Sequence, residues 1–120
     1  RLYTAKVPIR SMYRVDKFGY SKKLHGGDDH KSMAADNTSA FNCRGVANNP
    51  SVRSPHSSGR SFDINPWENP YASFPPRFWK GRDHKSKAAW NSSGDPAVKA
   101  LRLAGFAWTY GNVDGHHFEG

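Results

Sequence analysis

Two stretches of this sequence carry side chains that could hold a divalent cation and run hydrolytic chemistry beside it. The first is Ser54-x-His56-x-x-Gly59-x-x-x-Asp63-x-Asn65; the second is Asp114-x-x-His117-Phe118-Glu119, close to the last residue given. His56 precedes a glycine-containing turn and Asp63 follows on a segment of alternating polarity. An imidazole nitrogen and a carboxylate oxygen arriving that way can converge on one ion at roughly 2.0–2.2 Å. His117 is suited to be the third ligand, from a strand-like segment that Val113 and Phe118 anchor in the core. Two imidazoles and one carboxylate leave a fourth position open, which marks catalytic rather than structural zinc.

Asp114, beside the ion but not bound to it, could take a proton from water and return it to a leaving amine. Arg44, in Phe41-Asn42-Cys43-Arg44, offers a fixed planar cation for a substrate carboxylate or a developing oxyanion. Ser54 and Trp108 are placed by sequence next to the two motifs and are candidates for the substrate wall, although packing accounts for Trp108 equally well. His116 could compete with His117 as a ligand, although neighbours in an extended segment point to opposite faces; the spacing from Asp114 and the following Phe-Glu favour His117. Taken singly these spacings are common, and a solvated His near an Asp is the ordinary explanation. Their combination with Arg44 and Gly59 is what narrows the chemistry.

Other histidines and aromatic residues read differently. His25-Gly-Gly-Asp-Asp-His30 lies in a glycine loop and reads as a solvated turn or substrate-side rim; His84 reads as surface. Trp67, Trp79 and Trp90 read as core rings, and Cys43 as a small buried residue on a strand.

The elements that must position these groups are short. Residues 5–15 alternate loosely and predict a strand interrupted near Pro8. Residues 19–37 predict a long functional loop, 38–44 a short strand, and 45–53 a turn-rich link. Residues 59–65 alternate as a strand, with Phe62 and Ile64 on one face and Ser61, Asp63 and Asn65 on the other. Residues 66–94 read as irregular surface chain, with Pro75-Pro76 excluding helix. A helix is predicted over 96–104, with Asp95 as N-cap, Pro96 in the first position, Gly105 after the end, and Val98, Leu101 and Ala104 on one face. Residues 106–109 and 113–119 read as extended around a turn at Gly111. The sum is an α+β domain with a small antiparallel sheet, flanking helices and long loops.

Composition sets the outer limits. The length suits one domain, read as 1–120 with a processed or truncated N-terminus because it opens at Arg1 rather than Met. Hydrophobic residues make up only 36% while aromatics reach 13%, so a few large rings must build the core and a bound metal would add stability. A net charge of +8 favours polyanionic surroundings: nucleic acid, an anionic membrane, or a wall bearing phosphates and carboxylates. One cysteine excludes an intrachain disulfide, and no stretch approaches the ~20 apolar residues of a membrane span.

The motifs resemble those of the zinc D-alanyl-D-alanine carboxypeptidases of the VanY-like type and the related L-alanyl-D-glutamate endopeptidases of phage endolysins. The pattern S-x-H-x-x-G-x-A-x-D is met as SPHSSGRSFD, residues 54–63, and the acidic-x-x-His pattern with a following Phe-Glu as DGHHFE, residues 114–119. Arg44 matches the Arg on the strand before the first motif, and DINPWENPY, residues 63–71, looks like the family's continuation. The resemblance runs from about Pro8 onward. It implies the hedgehog/D,D-peptidase fold, one Zn2+ per chain on His56, Asp63 and His117, Asp114 as base, and Arg44 facing substrate. It also implies peptidoglycan stem peptides as substrate and a secreted or wall-associated bacterial protein; a monomer with no nucleic-acid partner is expected. Two departures stand out: Ser61 replaces the usual Ala, and His116 fills a spacer position more often held by Trp or Met.

Two other functions compete. A basic metal-dependent nuclease of the His-Asn-His kind would use His116, His117 and Asp114, but gives His56, Asp63 and Arg44 no role. A non-catalytic wall-binding module would keep zinc yet has no need of Asp114.

Overall fold

The structure is a computed structural model that describes residues 1–73 and 87–120. Expectations for Pro75-Pro76, Trp79 and His84 lie outside the described residues. Among those described, the elements run β1 (Tyr20–Ser21), β2 (Gly26–Gly27), α1 (Asp29–Ala34), β3 (Gly45–Val46), β4 (Asn49–Arg53), β5 (Ser61–Asp63), α2 (Pro96–Arg102) and β6 (His117–Glu119), with short 3₁₀ turns between. The strands pair as three two-stranded antiparallel sheets, β1–β2, β3–β4 and β5–β6. The α+β class expected from sequence is what the chain adopts.

Several segments depart from their sequence patterns. Residues 5–15 form no strand: the segment makes one bridge, Ser11 to Asn37, before a 3₁₀ turn at Val15–Phe18. Its backbone is paired by asparagine side chains instead. Asn65 accepts from Arg10 N at 3.1 Å and donates to Pro8 O at 2.8 Å. Asn37 accepts from Tyr13 N at 2.7 Å and donates to Tyr13 O at 2.9 Å. A side-chain amide carries the same donor and acceptor as a peptide group, so it serves as one rung of a sheet without a partner strand. Asn42 does this for Gly27, and Asn69 joins Asn65 O, Ala88 O and Trp90 N. All four amides are buried.

The segment 19–37 holds the β1–β2 hairpin and α1 rather than a plain loop. Asp28 caps α1 by accepting from Lys31 N at 3.1 Å, which supplies the start signal. Residues 38–44 are not a strand, because only Ser39 pairs, with Asp63. Residues 45–53 form the β3–β4 hairpin instead of a link. Cys43 is exposed, contrary to its expected burial.

The helix over 96–104 is seen as α2. Asp95 sits at the N-cap, but its carboxylate turns back to Asn91 N and Ser92 N at 2.9 Å each. At the other end Phe106 N reaches Leu101 O and Gly105 N reaches Arg102 O, with Gly105 at φ 93°, a Schellman stop. Ala104 lies past the last helical turn and is exposed, so the buried face is Ala97, Val98, Ala100 and Leu101. At the end of the chain, residues 111–113 are a 3₁₀ turn and extended structure begins only at His117.

The core gathers Val7, Ile64, Trp90, Ala97, Val98, Leu101 and Phe118, with Phe62, Phe106 and Trp108 packed against it. Trp90 meets Phe118 edge-on at 5.7 Å, and Phe62 meets Phe106 at 4.7 Å. Both Trp90 Nε1 and Trp108 Nε1 donate to Gly115 O, at 2.7 and 2.9 Å. The ring core therefore grips the turn that carries Asp114, His116 and His117. No helix among the described residues is long and apolar enough to cross a membrane.

Asn69→Ala strands the buried Trp90 N–H, so chemical denaturation is expected to show a loss of about 2–4 kcal/mol. The exposed Asn112→Ala should stay within about 0.5 kcal/mol of the parent.

Candidate metal centre

β5 and β6 align Ser61 with Glu119, Phe62 with Phe118 and Asp63 with His117. Directly opposed residues of an antiparallel pair project to the same face. The register thus sets the Asp63 carboxylate against the His117 imidazole, Oδ1 to Nδ1 at 2.9 Å. His56 arrives from the 3₁₀ turn Pro55–Ser58, which Ser54 caps by accepting from His56 N at 3.3 Å. Gly59 leaves that turn at φ 71° with open space where a Cβ would stand, so backbone angle and not room favours glycine there. His56 Nε2 comes to 3.2 Å from Asp63 Oδ2 and 3.3 Å from His117 Nδ1.

These three residues are buried, and one ligand atom from each lies within 4.8 Å of the others. Donor atoms around a tetrahedral ion with bonds of roughly 2.0–2.2 Å stand roughly 3.3–3.6 Å apart, so small adjustments seat one. The remaining ring nitrogens are already committed. His56 Nδ1 donates to Ala40 O at 2.6 Å, and His117 Nε2 donates to Glu119 Oε1 at 3.1 Å. A carbonyl and a carboxylate can only accept, so each ring is held with its other nitrogen turned toward the ion position. Residues and geometry fit a divalent cation, and two imidazoles with one carboxylate suit zinc.

Proton equilibria show what the cation would displace. Burial favours neutral His117, but the hydrogen bond and charge of Asp63, with help from Glu119, outweigh it and raise the pKa to about 9. His56 follows the same logic and is raised. Burial pushes Asp63 up, yet the charges of His56 and His116 and the hydrogen bonds from His117 and His56 hold it well below the usual carboxylate range. Burial raises Asp114, the charge of Asp63 adds to this, and His116 opposes it.

The centre lies in a cleft of about 310 Å³ whose lining includes Arg44, Ser54 and Asp114 with the three metal-site residues. A larger groove of about 740 Å³, past Tyr13 and Phe41, shares no residue with it and holds none of these three residues. Arg44 is buried, its charge met by Asp29 at 2.7 Å and one N–H given to Gly45 O at 3.0 Å. It sits in a loop, not on the expected strand. Trp108 does not line the cleft; it packs on the core. His30 lies on the cleft wall, whereas His25 lines the larger groove.

His116 does not face the side opposite His117, as an extended segment would require; both line the same cleft. It stands in the turn before β6, where strand alternation does not apply, and its Nε2 lies 3.1 Å from Asp114 Oδ1 and 3.7 Å from Asp63 Oδ1. Sequence reasoning also missed Glu119 as the partner of His117. The signal was there, since residues two apart on a strand share a face. Asp29, the partner of Arg44, gave no such signal from within a presumed loop.

A family model described as D-alanyl-D-alanine carboxypeptidase matches residues 47–120. The chain belongs to that family. The match spans both motifs and begins just past Arg44. No curated protein and no solved structure gives a significant match. The nuclease alternative left His56 and Asp63 idle, whereas here they meet His117.

Zinc titration against a chelator is expected to show binding abolished in His56→Ala and His117→Ala but kept in His30→Ala. Glu119→Ala should weaken it about 10–100-fold; equal loss in all four would undo the assignment. His117 has a folded pKa of about 9 against an ordinary 6.5. In the metal-free chain its stabilising contribution is therefore full below the unfolded pKa and lost as pH rises through the folded one. Zinc must expel that proton, so apparent zinc affinity should climb over the same window and level off above it, read by calorimetry in buffers of different ionisation enthalpy.

Proposed function

We propose that these 120 residues form one zinc-dependent peptidase domain of the hedgehog/D,D-peptidase fold, acting on the stem peptides of peptidoglycan. The observation that carries this reading is the meeting of His56, Asp63 and His117, each imidazole held by an outer acceptor, in a chain of the D-alanyl-D-alanine carboxypeptidase family. The net charge of +8 suits a wall rich in phosphate and carboxylate and fits a secreted or wall-associated monomer.

His56 Nε2, His117 Nδ1 and the Asp63 carboxylate would hold one Zn2+, which when bound supplies Lewis acidity toward water and the scissile carbonyl. The chain's own residues do the rest. Asp114 lines the cleft with a pKa raised by burial, so its carboxylate is a stronger base than an exposed one. It takes a proton from the attacking water and passes it to the leaving amine. Arg44 is fixed by Asp29 and Gly45 O, so it offers a wall of set geometry to the substrate. Ser54 keeps the His56 turn in place and shares that wall.

The test is mass spectrometry of products from purified muropeptides with zinc-loaded protein. Release of terminal D-Ala identifies a carboxypeptidase, and a cut at L-Ala–D-Glu an endopeptidase. Asp114→Ala is expected to slow turnover by about 10²–10⁴-fold while zinc stays bound. An unchanged rate removes Asp114 from the mechanism, and a zinc-loaded parent that yields neither product overturns the reading.

A further inference from the structure

We propose that Asp29 is a positioning residue that sets the plane of the Arg44 guanidinium in the cleft; this rests on the reading of Arg44 as the wall that meets substrate. A long side chain on a loop has no fixed direction of its own, and holding it costs rotamer freedom. The backbone of Arg44 is pinned first. Its N–H donates to Asn42 O at 2.9 Å and Ser57 Oγ at 3.2 Å, and its carbonyl accepts from Ser54 N at 3.0 Å and Ser57 Oγ at 2.9 Å. On the other side Gly45 N donates to Leu24 O at 2.8 Å, and a Cβ on Gly26 would stand 2.7 Å from Arg44 Cβ. The β1–β2 hairpin therefore lies directly against this stretch.

Asn42 fixes where the hairpin sits, accepting from Gly27 N at 3.0 Å and donating to Gly27 O at 3.1 Å. Two residues on, Asp29 opens α1 with its side chain buried, and Asn42 reaches its Oδ1 at 3.5 Å. Asp29 Oδ2 lies 2.7 Å from Arg44 Nη2, while Arg44 Nη1 donates to Gly45 O at 3.0 Å. Contacts on both terminal nitrogens define the plane of a rigid fork; either alone would let it turn. Gly45 O is the next residue's carbonyl, so Asp29 is the contact that ties the fork to a separate element. Nε is buried without a hydrogen bond to a described residue, which leaves the two terminal contacts to orient the group. Arg44 lines the cleft with 9% of its surface exposed, so a substrate meets one edge of a plane already set. Remove the carboxylate and a buried guanidinium gains by turning toward water. Asp29 does not belong to the three-residue metal group; it acts through Arg44 and not through the ion.

Nitrogen-15 NMR of the arginine side chains reads the plane directly and needs no substrate. In the parent, Arg44 is expected to show separate Nη–H signals, because both terminal nitrogens are held. In Asp29→Ala they should merge as the group rotates; in Asp29→Asn, whose carbonyl oxygen takes the same place, they should stay apart. Turnover of stem peptide by zinc-loaded protein should follow the same order. Asp29→Ala is expected to lower kcat/KM about 10–100-fold and Asp29→Asn to stay within about threefold of the parent, with zinc affinity by chelator competition unchanged in both. Arg44→Lys keeps a positive charge opposite Asp29, but an ammonium has no plane to set, so it too should lose about 10–100-fold. Merged Arg44 signals in the parent, parent-like turnover in Asp29→Ala or Arg44→Lys, or a loss in Asp29→Asn as large as in Asp29→Ala overturns the proposal. Loss of zinc affinity in either Asp29 variant overturns it as well. Should Asp29→Ala not fold, the parent spectrum and Arg44→Lys decide. A zinc-loaded parent that turns over no stem peptide overturns the peptidase reading itself, a failure visible apart from the spectra.

Discussion

The centre depends on one pairing of backbone: three rungs between β5 and β6 that set Asp63 opposite His117. Shifted by one residue, the same strands would point Phe118 into the cleft and His117 into the core. A pair this short has no stability of its own. It is held by what flanks it. Ser39 exchanges both backbone hydrogen bonds with Asp63 on the far edge, and Phe118, wholly buried against Trp90, fixes β6 from the apolar side.

The same flanking segment finishes the site. Having paired at Ser39, the chain presents the carbonyl of Ala40 to His56 and the amide of Asn42 to Gly27. Support for the metal residues and support for the fold are therefore one set of contacts. In a chain with 36% hydrophobic residues, buried amides stand in for the strands that a larger sheet would supply. Such interiors are stable only when nearly every polar group is satisfied, which makes each asparagine costly to replace. Among the described residues four buried side-chain atoms lack a hydrogen bond: Arg44 Nε and Asp114 Oδ1, on residues that line the cleft, and Ser61 Oγ and Glu68 Oε2, on residues that do not.

Charge at the centre is balanced in the same economical way. Asp63 faces His56, His116 and His117 at once, and Arg44 is paired with Asp29 before it meets anything else. A carboxylate shared among imidazoles holds protons in their place until a cation replaces them, so metal and protons compete for one position. Outer acceptors decide which face of each ring takes part.

Local signals in the sequence were enough to single out three residues that the fold brings together. His56, Asp63 and His117 stand out by residue type and spacing, and α2 by its Asp95, Pro96 and Gly105 ends, because caps and ligand spacings act within a few residues. The α+β class and the strand at β5 follow from short-range periodicity for the same reason. Tertiary structure alone decided the rest. Residues 5–15 alternate like a strand but find asparagine side chains in place of a partner; Asp29 joins Arg44 only when α1 folds over the cleft; His116 turns inward because it lies in a turn pinned by two indoles and not in β6. Each of these is set by a partner many residues away, and a periodic pattern records which faces are apolar without recording what they meet.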